Sequence, residues 1–541
     1  MKMRCRRVGE ILAALLIPVT FFLSVNYLFD IRGPNWIMTP NDYAYGYLLK
    51  GLALLGGKSL GILNHPGVPH VLLDAIVIKI TFWMTGTSSR LAHEVLTNTE
   101  LYTRIINTVI LTGCCLALIN MGGFVQYYFR SVAYALLAQA CVFIFSLSWL
   151  GVVFNGLPET LQLGGGLVLG AVVIYALQTE LASQRELLLF GLSSSLTCGF
   201  LVATKYTAAP LCLAPLLIMP GYKNKGRLLL GIFCSFIIFI LPAFSSWPAL
   251  YGDLRGSLAV VSTESKMGSL RELFHSFLAN GANLHSVCPC FAQLLSLPLL
   301  IMLFILTKRT IARIRGIQIA DLPFEAKTLI HINLSILLFW ATICLRPQGH
   351  YLLTAVGLLG LSLILGIKMI HERIGRGWGK AMAFIFILII IRYQYQTIPG
   401  SVAFYKDMNS RTIKANKLIE AKYSDWPKFY TIPFNSKIVQ LEHALQCTHL
   451  SMAAAVAPFF PPNAYIYNWD GHSCHNYKSS GERNIYVMSE EIKKLKKALF
   501  LTSCLERQIV PTSWYKAPKD VRLVSVFKES FVEVYEVYPL K

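Results

Sequence analysis

The chain has 541 residues, of which 55% are hydrophobic and 14% are charged. Soluble domains carry about 25% charged residues, so the composition excludes an ordinary soluble globular protein, and its apolar content excludes a disordered chain. The formal net charge is +21. Because Lys and Arg cluster in short loops between apolar runs, as in the cytoplasmic loops of membrane proteins, no nucleic-acid partner is predicted.

Runs of about 20 apolar residues, the length that crosses a bilayer, recur along the first 398 residues. The basic start precedes an apolar run without a small-residue cleavage motif, which predicts an uncleaved first span. The sequence thus predicts a polytopic α-helical membrane protein with about 11 transmembrane helices. These are 9–28, 104–122, 131–150, 160–178, 187–203, 206–220, 227–246, 291–307, 328–345, 351–369 and 381–398.

The stretch 69–86 is apolar but contains Asp74 and Lys79. Each charge at a bilayer centre costs about 2.5–3.5 kcal/mol, a cost that a juxtamembrane helix lying in the interface avoids. With this helix outside the membrane, every dense basic loop falls on the cytoplasmic side together with the N-terminus. The extracytoplasmic side then receives a first outer loop at 29–103, a second long outer loop at 246–290, and the C-terminal region.

The C-terminal region is polar, basic and rich in aromatic residues. Its alternating runs predict strands at 484–488, 521–527 and 531–538, and the pattern at 490–500 predicts a helix. We expect residues 399–541 to form an extracytoplasmic soluble α/β domain, which is of ordinary domain size. Residues 1–398 then form the transmembrane domain.

The first outer loop carries the residues most suggestive of chemistry. Asp42 starts a helix-like segment that contains Tyr43 and Tyr45. A carboxylate there serves either the dipole of that helix or, within an aromatic-lined pocket at the membrane surface, as a general base. His65 opens the 69–86 helix in the sequence His-Pro-Gly-Val, where a loop residue at the water boundary is the simpler interpretation.

Four charged residues lie at the predicted outer ends of later spans: Arg104, Glu159, Lys205 and Arg346. The last opens the segment Arg-Pro-Gln-Gly-His-Tyr, which also carries His350 and Tyr351. A Glu directly after a proline is ordinary at a helix start, and Lys and Arg at span ends commonly snorkel toward water. Alternatively, the four side chains face a water-filled cleft, where charges at membrane depth are tolerated.

The order of these residues resembles the GT-C glycosyltransferases, and more closely the branch with protein O-mannosyltransferases and the lipid A aminoarabinose transferase. The shared features are an acid followed by tyrosines, a His-Pro motif opening a juxtamembrane helix, and a second acid that opens the fourth span. An Arg begins the second span, a Lys ends a glycine-bearing span, and an Arg-aromatic segment precedes a late span. The family's usual His-Pro-Pro-Leu is His-Pro-Gly-Val here. The resemblance covers about residues 1–400.

The resemblance implies an integral-membrane enzyme that moves a sugar from a polyprenyl-phosphate donor to a glycan, lipid or protein acceptor, with inversion. Asp42 would be the catalytic base with Glu159 as its partner. Fixed cations meet the charge of the departing lipid phosphate. The donor-phosphate residues would be Lys205, Arg346, Arg104 and His65. The substrate pocket would be lined by Tyr43, Tyr45, His350 and Tyr351.

A bacterial inner membrane is favoured over the endoplasmic reticulum, because the one Asn-x-Ser/Thr glycosylation sequon, Asn333-Leu334-Ser335, lies within a predicted span. The charge pattern of the loops places the active site on the extracytoplasmic face. No cofactor is required by the sequence, and a divalent metal on Asp42 and Glu159 is the alternative left open. A transporter or flippase is the second hypothesis; it predicts internal repeats and ionisable residues near the bilayer midplane. A non-catalytic scaffold is the third, and it leaves the order of the motifs unexplained.

Several further cysteine, glycine and histidine motifs are interpreted as structural and not as part of a functional site. Cys288-Pro-Cys290 is predicted to be a structural loop tip, and Gly164–Gly166 to permit close helix packing. His472, Cys474 and His475 lack the spacing of a four-ligand metal site. The sequence leaves open whether disulfides form among the five cysteines in polar segments, which are Cys288, Cys290, Cys447, Cys474 and Cys504.

Overall fold

The structure is a computed structural model. The residues that it describes are 2–37, 44–61, 67–86, 88, 90–146, 150–151, 154, 156–246, 251, 279–282, 288–315, 317, 321–344, 349–430, 436–448, 450–467, 473–477, 480, 482–487, 491, 494–495, 497–502, 521–529 and 532–539.

Long apolar helices dominate residues 2–423. The helices are α1 (Lys2–Arg32), α2 (Ala44–Leu55), α3 (Val68–Thr85), α4 (Leu91–Thr97), α5 (Thr99–Phe129), α6 (Val132–Ala140), α7 (Pro158–Thr179), α8 (Gln184–Thr204), α9 (Leu213–Ile218), α10 (Tyr222–Ile240), α11 (Pro289–Ile314), α12 (Phe324–Cys344), α13 (Val356–Ile374) and α14 (Arg376–Tyr423). Turns of 3₁₀ helix lie at Asn35–Ile37, Cys141–Ile144, Tyr206–Cys212, Leu241–Ser246 and Gly349–Ala355. The protein is therefore a polytopic α-helical membrane protein, as the composition predicts.

Ten of the described helices are long and apolar enough to cross a membrane. They include nine of the predicted spans, whereas the predicted spans 131–150 and 206–220 correspond to the shorter apolar helices Val132–Ile144 and Tyr206–Ile218. The tenth is α3, a continuous helix with the length and hydropathy of a span. Its placement in the interface stays a prediction. Along this helix Asp74 is buried and Lys79 is exposed.

Helix α7 lies at the centre of the bundle, and its glycines let neighbouring backbones approach. A Cβ on Gly166 would lie 2.0 Å from the carbonyl oxygen of Thr354, and one on Gly165 would lie 2.7 Å from Leu201. On the facing helix, a Cβ on Gly357 would lie 2.2 Å from the Gly166 carbonyl oxygen. The prediction that Gly164–Gly166 permits close helix packing is thus confirmed.

Residues after α14 form a seven-stranded sheet. Its strands are β1 (Lys428–Tyr430), β2 (Ala464–Tyr467), β3 (Ser473–Tyr477), β4 (Arg483–Val487), β5 (Ala498–Thr502), β6 (Val521–Glu529) and β7 (Val532–Pro539), with α15 (Lys437–Cys447), α16 (Ala453–Val456) and the 3₁₀ turn Ala457–Phe459 between β1 and β2. The strand order is β4-β3-β2-β1-β5-β7-β6. Strand β1 runs parallel to β2 and β5, and the other pairs are antiparallel.

Three predicted strands are confirmed as β4, β6 and β7. The helix predicted over 490–500 is wrong at its C-terminal end, because Ala498–Thr502 is strand β5. Leu499 and Leu501 are completely buried there, between β1 and β7. Packing on both sides of a central strand thus overrides the local helical pattern.

The C-terminal region is joined to the bundle by three features. Helix α14 continues past the predicted boundary at residue 398 to Tyr423, so that boundary lies inside one helix. Helix α15 packs on α2, and Leu441 and Leu445 belong to the same hydrophobic core as the membrane helices. Ser451 also donates a hydrogen bond to the Ser59 carbonyl, at 2.8 Å. The first part of the α/β region therefore packs against the first outer loop.

Candidate functional site

Five residues predicted for the site belong to the described part of the chain: Tyr45, Arg104, Glu159, Lys205 and Tyr351. Asp42, Tyr43, His65 and Arg346 lie outside the described residues. His350 lies in the 3₁₀ turn before α13, and its side chain is outside the described part. The described part of the candidate site therefore consists of these five residues and the segments that carry them.

A buried ion pair joins two of the predicted residues. Glu159 lies in the first turn of α7, directly after Pro158, and Lys205 caps the C-terminus of α8. The Lys205 ammonium binds Glu159 Oε1, and each side chain is 2% exposed. The ammonium also lies 3.7 Å from the centroid of the Tyr351 ring. The structure thus brings Glu159, Lys205 and Tyr351 together from three separate segments.

Hydrogen bonds of side chains and backbone hold these three segments together. Gln162, one turn after Glu159, donates from Nε2 to the Lys205 carbonyl oxygen at 3.1 Å. The Gln162 side-chain oxygen accepts a hydrogen bond from Thr354 at 3.0 Å. The Gly67 N–H donates to the Thr204 carbonyl at 3.0 Å, which ties the start of α3 to the same point. The pair therefore rests on α3, α7, α8 and the turn before α13.

The charges of the pair compensate each other. Burial alone would lower the pKa of Lys205, but the attraction of Glu159 and Tyr351 outweighs it and raises the pKa above its usual value. Lys205 is therefore a cation at neutral pH, although it is withdrawn from water. A buried ion pair contributes little net stability, because desolvation offsets the attraction. Its presence at the end of two apolar helices is better explained by binding of a charged group.

Arg104 on α5 and Tyr45 on α2 belong to a second cluster, which also includes the C-terminal end of α1. Arg104 pairs with Asp30 at 2.9 Å, and its guanidinium lies over the Phe29 ring. Tyr45 donates its hydroxyl to Glu100, and burial together with that carboxylate raises the pKa of the hydroxyl. In the part of the chain that the structure describes, neither contacts the Glu159–Lys205 pair. Their predicted roles stay predictions.

Residues not proposed from the sequence lie beside the pair on α2 and α3. Nε2 of His70 lies 3.5 Å from Oδ1 of Asp74, one helical turn further along α3. The His70 ring lies 4.7 Å from the ring of Tyr47, and the ammonium of Lys50 lies 5.1 Å from that same ring. The signal in the sequence is the i, i+4 spacing of His70 and Asp74. From the sequence alone, Asp74 is recognised only as a residue that makes membrane insertion of α3 costly.

An apolar groove of about 450 Å³ lies between α3, α5, α7 and α8. Leu161 on its wall is two residues after Glu159, and Phe200 is five residues before Lys205. The complete lining is Leu73, Val109, Ile110, Gly113, Cys114, Ala117, Leu161, Gly164, Gly165, Val168, Leu196, Thr197 and Phe200. The groove thus shares two helices with the buried ion pair and is lined by apolar side chains and glycine, with Thr197 as the one hydroxyl residue among them.

Metal and disulfide predictions are only partly covered by the structure. Among the described residues, no group of three or more His, Cys, Asp or Glu side chains is placed to hold a metal ion. Cys288 and Cys290 are buried free thiols at the start of α11. A metal shared by Asp42 and Glu159 stays a prediction, because Asp42 is outside the described residues. His472 and Cys504 also lie outside the described residues.

Comparison with known proteins gives a likeness in structure and none in sequence family. No family model and no curated protein matches the chain. A solved structure that resembles it is the crystal structure of ArnT from Cupriavidus metallidurans in the apo state. The alignment covers 99% of this chain and 98% of that chain, with 10% sequence identity and a TM-score of 0.46. At this sequence identity and TM-score, the likeness does not bear on function.

Proposed function

We propose that the protein is an integral-membrane glycosyltransferase. It transfers a sugar from a polyprenyl-phosphate donor to a glycan, lipid or protein acceptor at the extracytoplasmic face of a bacterial inner membrane. The observation that carries the proposal is the buried Glu159–Lys205 pair under the Tyr351 ring, beside an apolar groove. A lipid phosphate needs both features, a cation for its head and an apolar surface for its chain.

Lys205 is assigned to the departing phosphate. Breaking the bond between the sugar and the phosphodiester leaves a phosphate monoester with an additional negative charge. A cation withdrawn from water stabilises that charge far more than a solvated one, because the local dielectric is low. Glu159 keeps Lys205 charged and fixed before the donor binds, and Tyr351 supports the ammonium from its ring face.

The apolar groove is assigned to the polyprenyl chain. Each buried CH₂ group contributes about 0.8 kcal/mol to binding, so even a few isoprene units anchor the donor. Leu161 and Phe200 line the groove close in sequence to Glu159 and Lys205, which places the chain and the phosphate head on the same two helices. The donor would therefore enter from the lipid side.

The chemical step is a single displacement. The acceptor hydroxyl loses its proton to Asp42 while its oxygen forms a bond to the anomeric carbon. The bond between that carbon and the phosphate oxygen breaks, and the electron pair goes to the phosphate facing Lys205. Asp42 and Arg346 enter this scheme from the sequence alone, as do His65 and Arg104. The anomeric configuration inverts.

The test is sugar transfer by the purified protein from synthetic polyprenyl-phosphate sugars. Lys205→Ala should lower kcat by about 10²–10³-fold, the loss expected for one group that stabilises the transition-state charge. Lys58→Ala, which removes an exposed lysine of the first outer loop, is the control and should transfer at the wild-type rate. Full activity of Lys205→Ala would contradict the assignment.

Asp42→Asn tests the assigned base separately. Transfer should be abolished, while expression and thermal stability stay at the wild-type level, because Asn keeps the shape but cannot take the proton. Wild-type transfer by this variant would remove Asp42 from the base role and leave the phosphate assignment intact.

A further inference from the structure

Helix α3 carries buried polar atoms that form no hydrogen bond with any other described residue. His70 is 0% exposed, and Asp74 is 1% exposed. Among the described residues, neither ring nitrogen of His70 makes a hydrogen bond, and neither does Oδ1 of Asp74, although Nε2 and Oδ1 lie 3.5 Å from each other. Buried polar atoms are almost always hydrogen-bonded, so three such atoms on adjacent turns require an explanation. Binding of a polar ligand group supplies one.

These atoms lie next to the proposed site. The Gly67 N–H, at the start of α3, is hydrogen-bonded to the carbonyl of the residue before Lys205. The charges of Glu159 and Lys50 both act on the His70 imidazole. Tyr47 from α2 covers one side of the imidazole, at 4.7 Å between ring centroids. The unsatisfied atoms therefore belong to the surroundings of the buried ion pair.

The chemistry of the three atoms selects the ligand group. A metal ion needs more ligands than His70 and Asp74, and the described residues provide no third. A hydroxyl group both donates and accepts, so it can donate to Asp74 and bond to the imidazole. An aromatic ring beside a carboxylate and an imidazole therefore suits a sugar, which has an apolar face and hydroxyl groups at its edge.

We propose that His70 and Asp74, covered by Tyr47, bind one hydroxyl group of the transferred sugar. The inference rests on the proposed glycosyltransferase function and adds the sugar subsite to it. His70 and Asp74 are specificity-determining residues, which fix the sugar relative to the phosphate bound at Lys205. Neither residue takes part in the bond changes.

The experiment measures kcat/KM with polyprenyl-phosphate glucose and mannose, and with the four donors of each that lack a single hydroxyl at position 2, 3, 4 or 6. The wild-type protein should lose at least 10-fold with one deoxy donor, because a site built to bond a hydroxyl rejects the analogue without it. Asp74→Asn and His70→Gln should lose that discrimination and use the parent and the deoxy donor within about 2-fold of each other.

Lys79→Gln is the control, since Lys79 is exposed on the same helix. It should discriminate as the wild type does. If both variants keep the wild-type discrimination, or the wild type uses all deoxy donors as well as the parent, the sugar subsite is overturned and the glycosyltransferase stands. If the wild type transfers sugar from no polyprenyl-phosphate donor, the proposed function is overturned, and the subsite with it.

Discussion

The ammonium of Lys205 lies 3.7 Å from the centroid of the Tyr351 ring, while its charge is paired with Glu159. The two residues come from segments almost 150 positions apart, joined through the hydrogen bonds of Gln162. An aromatic face and a carboxylate thus hold one buried cation from two directions. This arrangement keeps the cation positioned before a substrate arrives, which is the condition for electrostatic stabilisation of a developing charge.

The ring face of Tyr351 should matter more than its hydroxyl. Cation–π attraction is about 2 kcal/mol or more when the cation is desolvated, and Phe retains most of it. We expect Tyr351→Phe to retain more transfer activity than Tyr351→Leu, which should lose about 10-fold in kcat. The measurement is steady-state transfer with each variant. Equal activity of the Leu and Phe variants would show that the ring does not support Lys205.

Glu159 and Lys205 should be coupled in stability. Removing one partner of a buried pair leaves an uncompensated charge and costs about 3–5 kcal/mol, so Glu159→Gln should unfold at a clearly lower temperature in detergent. The double variant Glu159→Gln/Lys205→Met should recover most of that loss, because neither charge remains. Its kcat for sugar transfer should nevertheless stay about 10²–10³-fold below that of the wild type, as for Lys205→Ala. Additive losses in the double variant would mean that the two side chains do not pair in the folded protein.

Gly166 should be intolerant of any side chain. A Cβ there would lie 2.0 Å from the Thr354 carbonyl oxygen, so α7 and the turn before α13 would have to separate. We expect Gly166→Ala to destabilise the protein by about 1–3 kcal/mol. Gly113→Ala is the control, because nothing lies within 4 Å of its Cβ position in α5. Thermal unfolding of the two variants should therefore differ, and similar transition temperatures would contradict the close packing.

The C-terminal region should stay docked on the first outer loop during turnover. Ser451 donates to the Ser59 carbonyl at 2.8 Å, so the double variant Ser59→Cys/Ser451→Cys should form a disulfide on mild oxidation. Transfer by the oxidised protein should match that of the reduced protein. Activity that returns only on reduction would show instead that this region must move away. Neither single variant should change mobility on a non-reducing gel.

Leu445 should be needed for that docking. It is completely buried in the core that α15 shares with the outer-loop helices, so Leu445→Ala should cost about 2–5 kcal/mol. Ile485→Ala, at an exposed position of β4, is the control and should unfold like the wild type. Thermal unfolding in detergent compares the two. A wild-type transition for Leu445→Ala would mean that α15 is not packed on α2.

The sequence predicts the membrane helices well, because span length and hydropathy are local properties. Glu159 and Lys205 could also be proposed from their positions at span ends. Their pairing with each other could not be predicted, since it depends on how α7 and α8 cross. The sequence suggests Asp42 instead as the partner of Glu159. The environment of His70 could not be predicted for a similar reason, because the Tyr47 ring that packs against its imidazole belongs to another helix. Strand β5 was mistaken for helix because its burial is set by β1 and β7.

The most direct test is a structure of the protein determined by electron cryomicroscopy with a polyprenyl phosphate bound. The phosphate should lie within ion-pair distance of the Lys205 ammonium, and the first isoprene units should occupy the groove lined by Leu161 and Phe200. A phosphate bound away from Lys205, with another lipid filling that groove, would contradict the assignment of the site.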